Sequence, residues 1–153
     1  MAKARTKAKP LNAARVREMV EAADKAMARE KISPRDSTKD RLFALIMARM
    51  DRLQANRAAY MDMFAELRRT PPLLAHYVRL VGGSMKNALV QSEVALDEPR
   101  LSLQTAGLLA VYIATVRAWE KDTSADLSAT MRALDQNLGR AEMAARWLGF
   151  EAA

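Results

Sequence analysis

The sequence has no cysteine, a single histidine and few aromatic residues, and these shortages exclude several kinds of site. Without cysteine the chain forms no disulfide and offers no thiolate as a nucleophile or metal ligand, which suits a reducing compartment; we expect a cytoplasmic protein. The one imidazole, His76, cannot build a multi-histidine metal site, and the sequence holds neither a Gly-x-Ser-x-Gly segment nor a phosphate-binding glycine loop. We therefore predict that the protein is not an enzyme and uses no cofactor and no metal.

Residues that favour strands are also scarce, whereas residues that favour helices are abundant. Half of the chain is hydrophobic but only 5% is aromatic, and the balance is made up largely by alanine, leucine and 10 methionines. No segment alternates apolar and polar residues for long enough to predict a strand. We predict an all-α bundle of about six helices forming one domain over residues 12–150.

The charge is unevenly distributed along the chain. The formal net charge is +7, and Lys3, Arg5, Lys7 and Lys9 contribute four of these charges before any acidic residue appears. We predict that residues 1–11 form a disordered basic tail, able to contact phosphates or anionic lipid without sequence preference. No apolar segment follows this tail, so it does not resemble a secretory signal.

Capping residues and apolar periodicity predict the first four helices. The second helix is apolar around most of its circumference, which predicts a central position in the bundle. Gly82-Gly83 lies inside the fourth helix, where close helix packing or a kink is the expected reason for two glycines. The predicted signals at the starts of these helices are Asn12, Ser37 or Thr38, Asn56, and Pro72.

The last third of the chain predicts a strongly apolar helical hairpin. No charged residue occurs over the 16 positions from Leu101 to Val116, a run shorter than the roughly 18–20 residues that span a bilayer. We expect the two helices at about 103–119 and 126–147, with caps at Ser102 and at Asp122, Thr123 or Ser124. The apolar face of this hairpin must be covered by the rest of the chain, by a second copy of the chain or by a lipid-like ligand. We predict a homodimer whose interface contains Leu108, Leu109, Tyr112, Val116, Trp119, Leu127, Met131, Leu134 and Leu138.

Methionines and aromatic residues are concentrated in the central helices. Methionine side chains adapt to irregular space and to apolar guests, although a methionine stripe at helical spacing is more often ordinary core than a pocket. If a ligand pocket exists, we expect it inside the bundle, between the helices near 40–54, 57–69 and 72–95. Its predicted lining is Phe43, Met47, Met50, Met63, Phe64, Tyr77 and Met85.

Two segments carry a resemblance to a known family. The segments Asp40–Asp51 and Trp119–Leu127 resemble the C-terminal domain of tetracycline-repressor (TetR) family regulators, in particular the subgroup related to the lipid-binding accessory protein of ubiquinone biosynthesis. The resemblance extends from about Ala13 to Leu148. It implies a helical domain that encloses an apolar or lipid-like ligand and dimerises through its last two helices. In the last helix and the turn before it, the residues that match the subgroup are Asp122, Ser124, Asp126, Leu127, Thr130, Leu134 and Asp135.

The sequence lacks one segment that is typical of the family. TetR regulators begin with a DNA-binding head that contains a recognition helix, and no segment before Asp40 matches it. We therefore expect a sensor-like module without sequence-specific nucleic-acid binding. Its expected partners are a second copy, a full-length TetR-like relative in a heterodimer, and an apolar small molecule or lipid. The alternative function is a lipid-binding accessory protein acting at a membrane surface.

Overall fold

Six α-helices make up the regular structure of residues 10–94 and 97–150, which are the residues that the computed structural model describes. The predicted all-α bundle of six helices is confirmed. Residues 1–9, and with them most of the predicted basic tail, lie outside the described residues. The helices are α1 (Ala13–Arg29), α2 (Thr38–Ala55), α3 (Arg57–Arg69), α4 (Pro71–Gln91), α5 (Glu98–Lys121) and α6 (Ser128–Trp147).

The first two helices begin at predicted caps. The Asn12 side chain accepts a hydrogen bond of 2.9 Å from the backbone N–H of Arg15. The Ser37 hydroxyl accepts one of 3.1 Å from the N–H of Asp40. Each bond satisfies one of the N–H groups that the first turn of a helix leaves free. At Asn56 the structure differs, because this residue precedes α3 but makes no side-chain capping bond.

The end of α4 lies earlier than predicted. The helix stops at Gln91 rather than near residue 95. Glu93 has a left-handed backbone (φ 63°), and the N–H of Val94 donates to the carbonyl oxygen of Leu89 at 3.1 Å. These features form a helix-ending motif in which glycine usually occupies the left-handed position.

The start of α5 also differs from the prediction. The helix begins at Glu98, and its cap is Asp97, whose carboxylate accepts from the N–H of Arg100 at 3.3 Å. Ser102, the predicted cap, lies within the helix. Pro99 does not interrupt it, since the first turn of a helix does not need the N–H that proline lacks.

Asp122 organises the turn between α5 and α6. The structure places Leu127, with φ 56°, at the N-cap position of α6. The hydrogen-bond acceptor for the first turn of α6 is instead Asp122, five residues before Leu127. Its Oδ2 accepts from the backbone N–H of Thr130 at 2.9 Å and from the Thr130 hydroxyl at 2.8 Å. Asp122 Oδ1 accepts from the hydroxyl and the N–H of Ser124. The bond from the Ser124 hydroxyl is the largest of the effects that lower the pKa of Asp122, and burial opposes it.

The predicted central position of α2 is confirmed, because α2 contacts all five other helices. α1 packs on α2 and α4, α4 packs on α5, and α5 and α6 form the closely packed hairpin. Buried apolar side chains from all six helices form one continuous core.

Candidate functional site

The residues predicted to line a pocket lie in and around the core. Phe43 and Met47 are partly buried against it. The centre is aromatic: the ring of Phe64 lies 5.8 Å from that of Tyr77 and 6.3 Å from that of Trp119, both near perpendicular. The buried members of the predicted set are Met50, Met63, Phe64, Tyr77 and Met85. A pocket lined by these residues stays a prediction.

A buried arginine in the bundle centre was not foreseen. Arg49 of α2 is 1% exposed. Its Nε donates to the hydroxyl of Tyr112 at 3.0 Å, and it forms an ion pair with Asp24 of α1. Burial lowers the pKa of the Arg49 guanidinium, but the nearby oxygens of Tyr112 and Asp24 outweigh burial and raise it overall. The neighbouring Tyr77 phenol has a raised pKa because it is buried.

The Arg49 cluster joins four helices, since Asp24 lies in α1, Arg49 in α2, Tyr77 in α4 and Tyr112 in α5. The Arg49 cation is engaged by Asp24 and by the Tyr112 hydroxyl, and the buried Tyr77 phenol favours its neutral form. Within the part of the chain that is described, no three histidine, cysteine, aspartate or glutamate side chains come together as a metal site. His76 Nε2 is buried without a hydrogen-bond partner. The signal for Arg49 was in the sequence: it is the one charged residue between Phe43 and Met50.

An apolar groove of about 680 Å³ lies where α5 and α6 meet the first turn of α2 and the end of α4. Its volume falls within the roughly 300–1,000 Å³ of typical small-molecule sites. The floor consists of four buried leucines, Leu42, Leu89, Leu108 and Leu138. The remaining apolar lining residues are Val94, Leu103, Ala106, Gly107, Ala141, Ala144, Ala145, Leu148 and Phe150.

Small residues create the open space of this groove. A Cβ atom built on Gly107 of α5 would meet no heavy atom within 4 Å. Across the groove, α6 presents Ala141, Ala144 and Ala145. Alanine is common in helices whatever lies beside it, so the alanines of α6 were not a signal for this site in the sequence.

The polar residues of the groove are few, and their charges are largely paired. Lys39 contacts Asp135 at 3.1 Å, and Arg146 contacts Glu142 at 2.9 Å. The uncharged polar lining residues are Ser37, Thr38 and Gln104. A second depression, of about 400 Å³, is lined mainly by charged residues of α1 and by Arg52, which makes it a poor match for an apolar guest.

Two exposed apolar side chains, Leu103 and Leu148, line the groove, and each is at least half exposed. Trp147, which is 86% exposed, and Met143 lie on the other side of α6 from Leu138 and Ala141 and are not part of the groove. Single exposed apolar residues of this kind are ordinary on a protein surface.

Most of the predicted dimer-interface residues are buried in the core of the single chain. Seven of them are buried, and Leu109 and Met131 are partly buried. Within one chain, α2, α4 and α6 all pack against α5, so these residues belong to the core, and a dimer through the last two helices stays a prediction. The buried seven are Leu108, Tyr112, Val116, Trp119, Leu127, Leu134 and Leu138.

Helix α5 nevertheless keeps much apolar surface exposed. Its 24 residues make it long and apolar enough to cross a membrane by length and composition, a test that core helices of soluble proteins also pass. Only 33% of its most apolar 18-residue window is buried. Along its exposed side lie Leu103, Ala106, Gly107 and Ala110, without a charge among them.

No protein-family model, curated protein or solved structure matches the chain.

Proposed function

We propose that the protein is a non-enzymatic binding module whose groove holds an apolar or lipid-like small molecule, in the manner of a TetR-type sensor domain. The observation that carries this proposal is the groove of about 680 Å³ with its floor of four buried leucines. Water in such a space contacts apolar walls. A guest that displaces this water buries apolar surface, and each Å² buried contributes roughly 25 cal/mol to the free energy of binding.

Two features support a small molecule as the guest. The groove is concave and predominantly apolar, with a few polar groups at its edges, which is the usual composition of ligand sites. The Lys39–Asp135 and Arg146–Glu142 pairs leave no net charge there, so an apolar body is favoured over a highly charged one. The resemblance to TetR sensor domains adds the role: ligand occupancy controls pairing with a second copy or with a full-length relative.

Two glycine substitutions test the groove. Gly107→Leu places a side chain into the open space between α5 and α6, whereas Gly83→Leu makes the same change on α4, outside the groove. In both positions a Cβ meets no heavy atom within 4 Å, and both changes replace glycine by a better helix former. Both variants should therefore fold at least as stably as the parent.

Binding of the neutral fluorophore Nile red, measured by titration, separates the two variants. We expect Gly107→Leu to weaken binding by about tenfold or more, which corresponds to about 1.4 kcal/mol, and Gly83→Leu to leave it unchanged. Native mass spectrometry of the parent protein should show a co-purified apolar molecule that is lost in Gly107→Leu. Equal affinity of both variants for Nile red would rule out the groove as the site.

A further inference from the structure

We propose that Phe150 forms the end wall of the groove and limits the length of the guest, which is a single unbranched hydrocarbon chain with an uncharged polar end. This inference rests on the proposed function, because it names the class of ligand of the same groove and the residue that selects it. It follows from the direction in which the groove runs and from the way in which Phe150 is held across one of its ends.

The groove follows the hairpin of α5 and α6. Along α6 and the residue after it, the lining extends from Leu138 to Leu148, and along α5 it extends from Leu108 back to Leu103. At a rise of about 1.5 Å per residue, the α6 side is about 15 Å long. The end at Leu103 and Leu148 is the open end of the hairpin, where α5 begins and α6 ends. An extended chain contacts such a groove over its whole length, whereas a compact ring fills only a part of it.

Phe150 lies across the open end of the hairpin. It lines the groove and is partly buried. The guanidinium carbon of Arg100 lies 6.0 Å from the centre of its ring, so the ring connects the end of α6 with the first turn of α5. Arg100 lies outside the groove lining, and its side chain is 55% exposed. The aromatic ring therefore separates the apolar groove from a solvated charge.

The end of α6 holds the backbone of Phe150 in place. Gly149 has φ 72°, and its N–H donates to the carbonyl oxygen of Arg146 at 3.0 Å. The N–H of Phe150 donates to the carbonyl oxygen of Ala145 at 2.8 Å. These two bonds form a Schellman motif, in which the residue after the glycine often makes an apolar contact with the last turn of the helix. Because Ala145 also lines the groove, the motif turns the chain back toward the groove.

The polar lining favours an uncharged polar end on the guest. The two cations of the lining, Lys39 and Arg146, are each paired with a carboxylate, so an acid group on the guest would have to compete for them. The uncharged polar lining residues offer hydroxyl and amide groups, which hydrogen-bond to a neutral alcohol, ester or amide. They are Ser37, Thr38 and Gln104. A straight-chain alcohol is the simplest molecule of this class, and its chain can be lengthened one CH₂ at a time.

The experiment measures the displacement of Nile red by straight-chain alcohols of increasing length, from hexanol to hexadecanol, each below its solubility limit. In the parent protein, affinity should rise about fourfold with each added CH₂, because each CH₂ buries more apolar surface. The rise should stop once the chain fills the groove up to Phe150. Phe150→Ala opens this end, so the rise should continue for at least one further CH₂, again by about fourfold.

Two further variants serve as controls. Trp147→Ala removes a large aromatic side chain near the same end of α6, on the side away from the groove, and should leave the whole alcohol series unchanged. Phe150→Leu keeps an apolar side chain at the end of the groove and should behave more like the parent than like Phe150→Ala. Circular dichroism of all variants should match that of the parent, because neither side chain belongs to the buried core.

The outcomes separate this inference from the proposed function. Failure of the parent to bind Nile red at all overturns the proposed function. Nile red that binds but is displaced by no alcohol overturns the straight-chain guest and leaves the proposed function standing.

The dependence on chain length tests the wall itself. If affinity stops rising at the same length in Phe150→Ala as in the parent, Phe150 is not the end wall. An equal loss of affinity at every length also overturns the end wall, because Phe150 then supports the groove without limiting it. A fatty acid that binds more tightly than the alcohol of the same length overturns the uncharged polar end.

Discussion

At the scale of single residues, the ion pair between Arg49 and Asp24 is the most demanding interaction in the core. Arg49 is fully buried, and Asp24, one third exposed, is its only carboxylate partner among the described residues. Removing one member of a buried pair leaves the other charge without compensation. We expect Asp24→Asn to lower the free energy of unfolding by about 2–3 kcal/mol, less than the roughly 3–5 kcal/mol of a fully enclosed pair because Asp24 is partly solvated.

Urea unfolding measures this loss, and a double variant provides the control. Arg49→Met combined with Asp24→Asn removes the buried charge itself, so the double variant should be more stable than Asp24→Asn alone. A double variant less stable than the single one would show that Arg49 contributes chiefly through Tyr112 rather than through Asp24.

A second residue-scale prediction concerns Asp122 and pH. Hydrogen bonds from Ser124 and Thr130 lower the pKa of the folded carboxyl below the value of about 3.9 of an unfolded chain. A lowered folded pKa stabilises the protein above the unfolded pKa, and this stabilisation is lost as pH falls through the folded pKa. As pH falls from about 5 to about 2, that is, from above to below the unfolded pKa, the parent should therefore lose more free energy of unfolding than Asp122→Asn. Parallel pH curves for the two proteins would contradict this assignment.

At the scale of helices, the Gly82-Gly83 pair weakens α4 without a steric reason. The expected close packing is slight, because a Cβ on Gly82 would lie 4.0 Å from Leu109 Cδ2, and one on Gly83 would meet nothing within 4 Å. We predict that Gly83→Ala raises the free energy of unfolding by about 0.5–1 kcal/mol. The matched change Gly149→Ala should have the opposite sign, since Gly149 has φ 72° after the end of α6. Thermal unfolding of both variants measures the two signs, and a loss of stability in Gly83→Ala would indicate a role for Gly83 beyond the helix itself.

At the scale of the whole molecule, the positive charge predicts a weak and unspecific affinity for nucleic acid. Four of the seven net charges belong to Lys3, Arg5, Lys7 and Lys9, whereas the cations of the groove are paired with carboxylates. Electrophoretic mobility shifts with a DNA duplex should weaken steeply as salt rises, because phosphate contacts release counterions. Deletion of the first ten residues should abolish the shift. A preference for one duplex over its scrambled version that persists in high salt would instead reveal base readout.

The sequence by itself determined the fold class, the helix starts at Asn12 and Ser37, and the central place of α2. These features depend on residues within a few positions of one another: capping side chains reach the next turn, and apolar periodicity defines one helix face. The early end of α4 at Gln91 and the early start of α5 at Glu98 were missed, because a left-handed Glu93 and a proline in the first turn carry weak local signals.

The tertiary structure alone decided which apolar faces are covered and where space remains. Residues such as Tyr112 and Val116 have the pattern of an interface in the sequence, yet α2, α4 and α6 cover them within one chain. The groove beside Gly107 lies where four helix segments meet and several of their side chains are small. A cavity depends on the relative placement of four helices, and no pattern within a single helix encodes that placement.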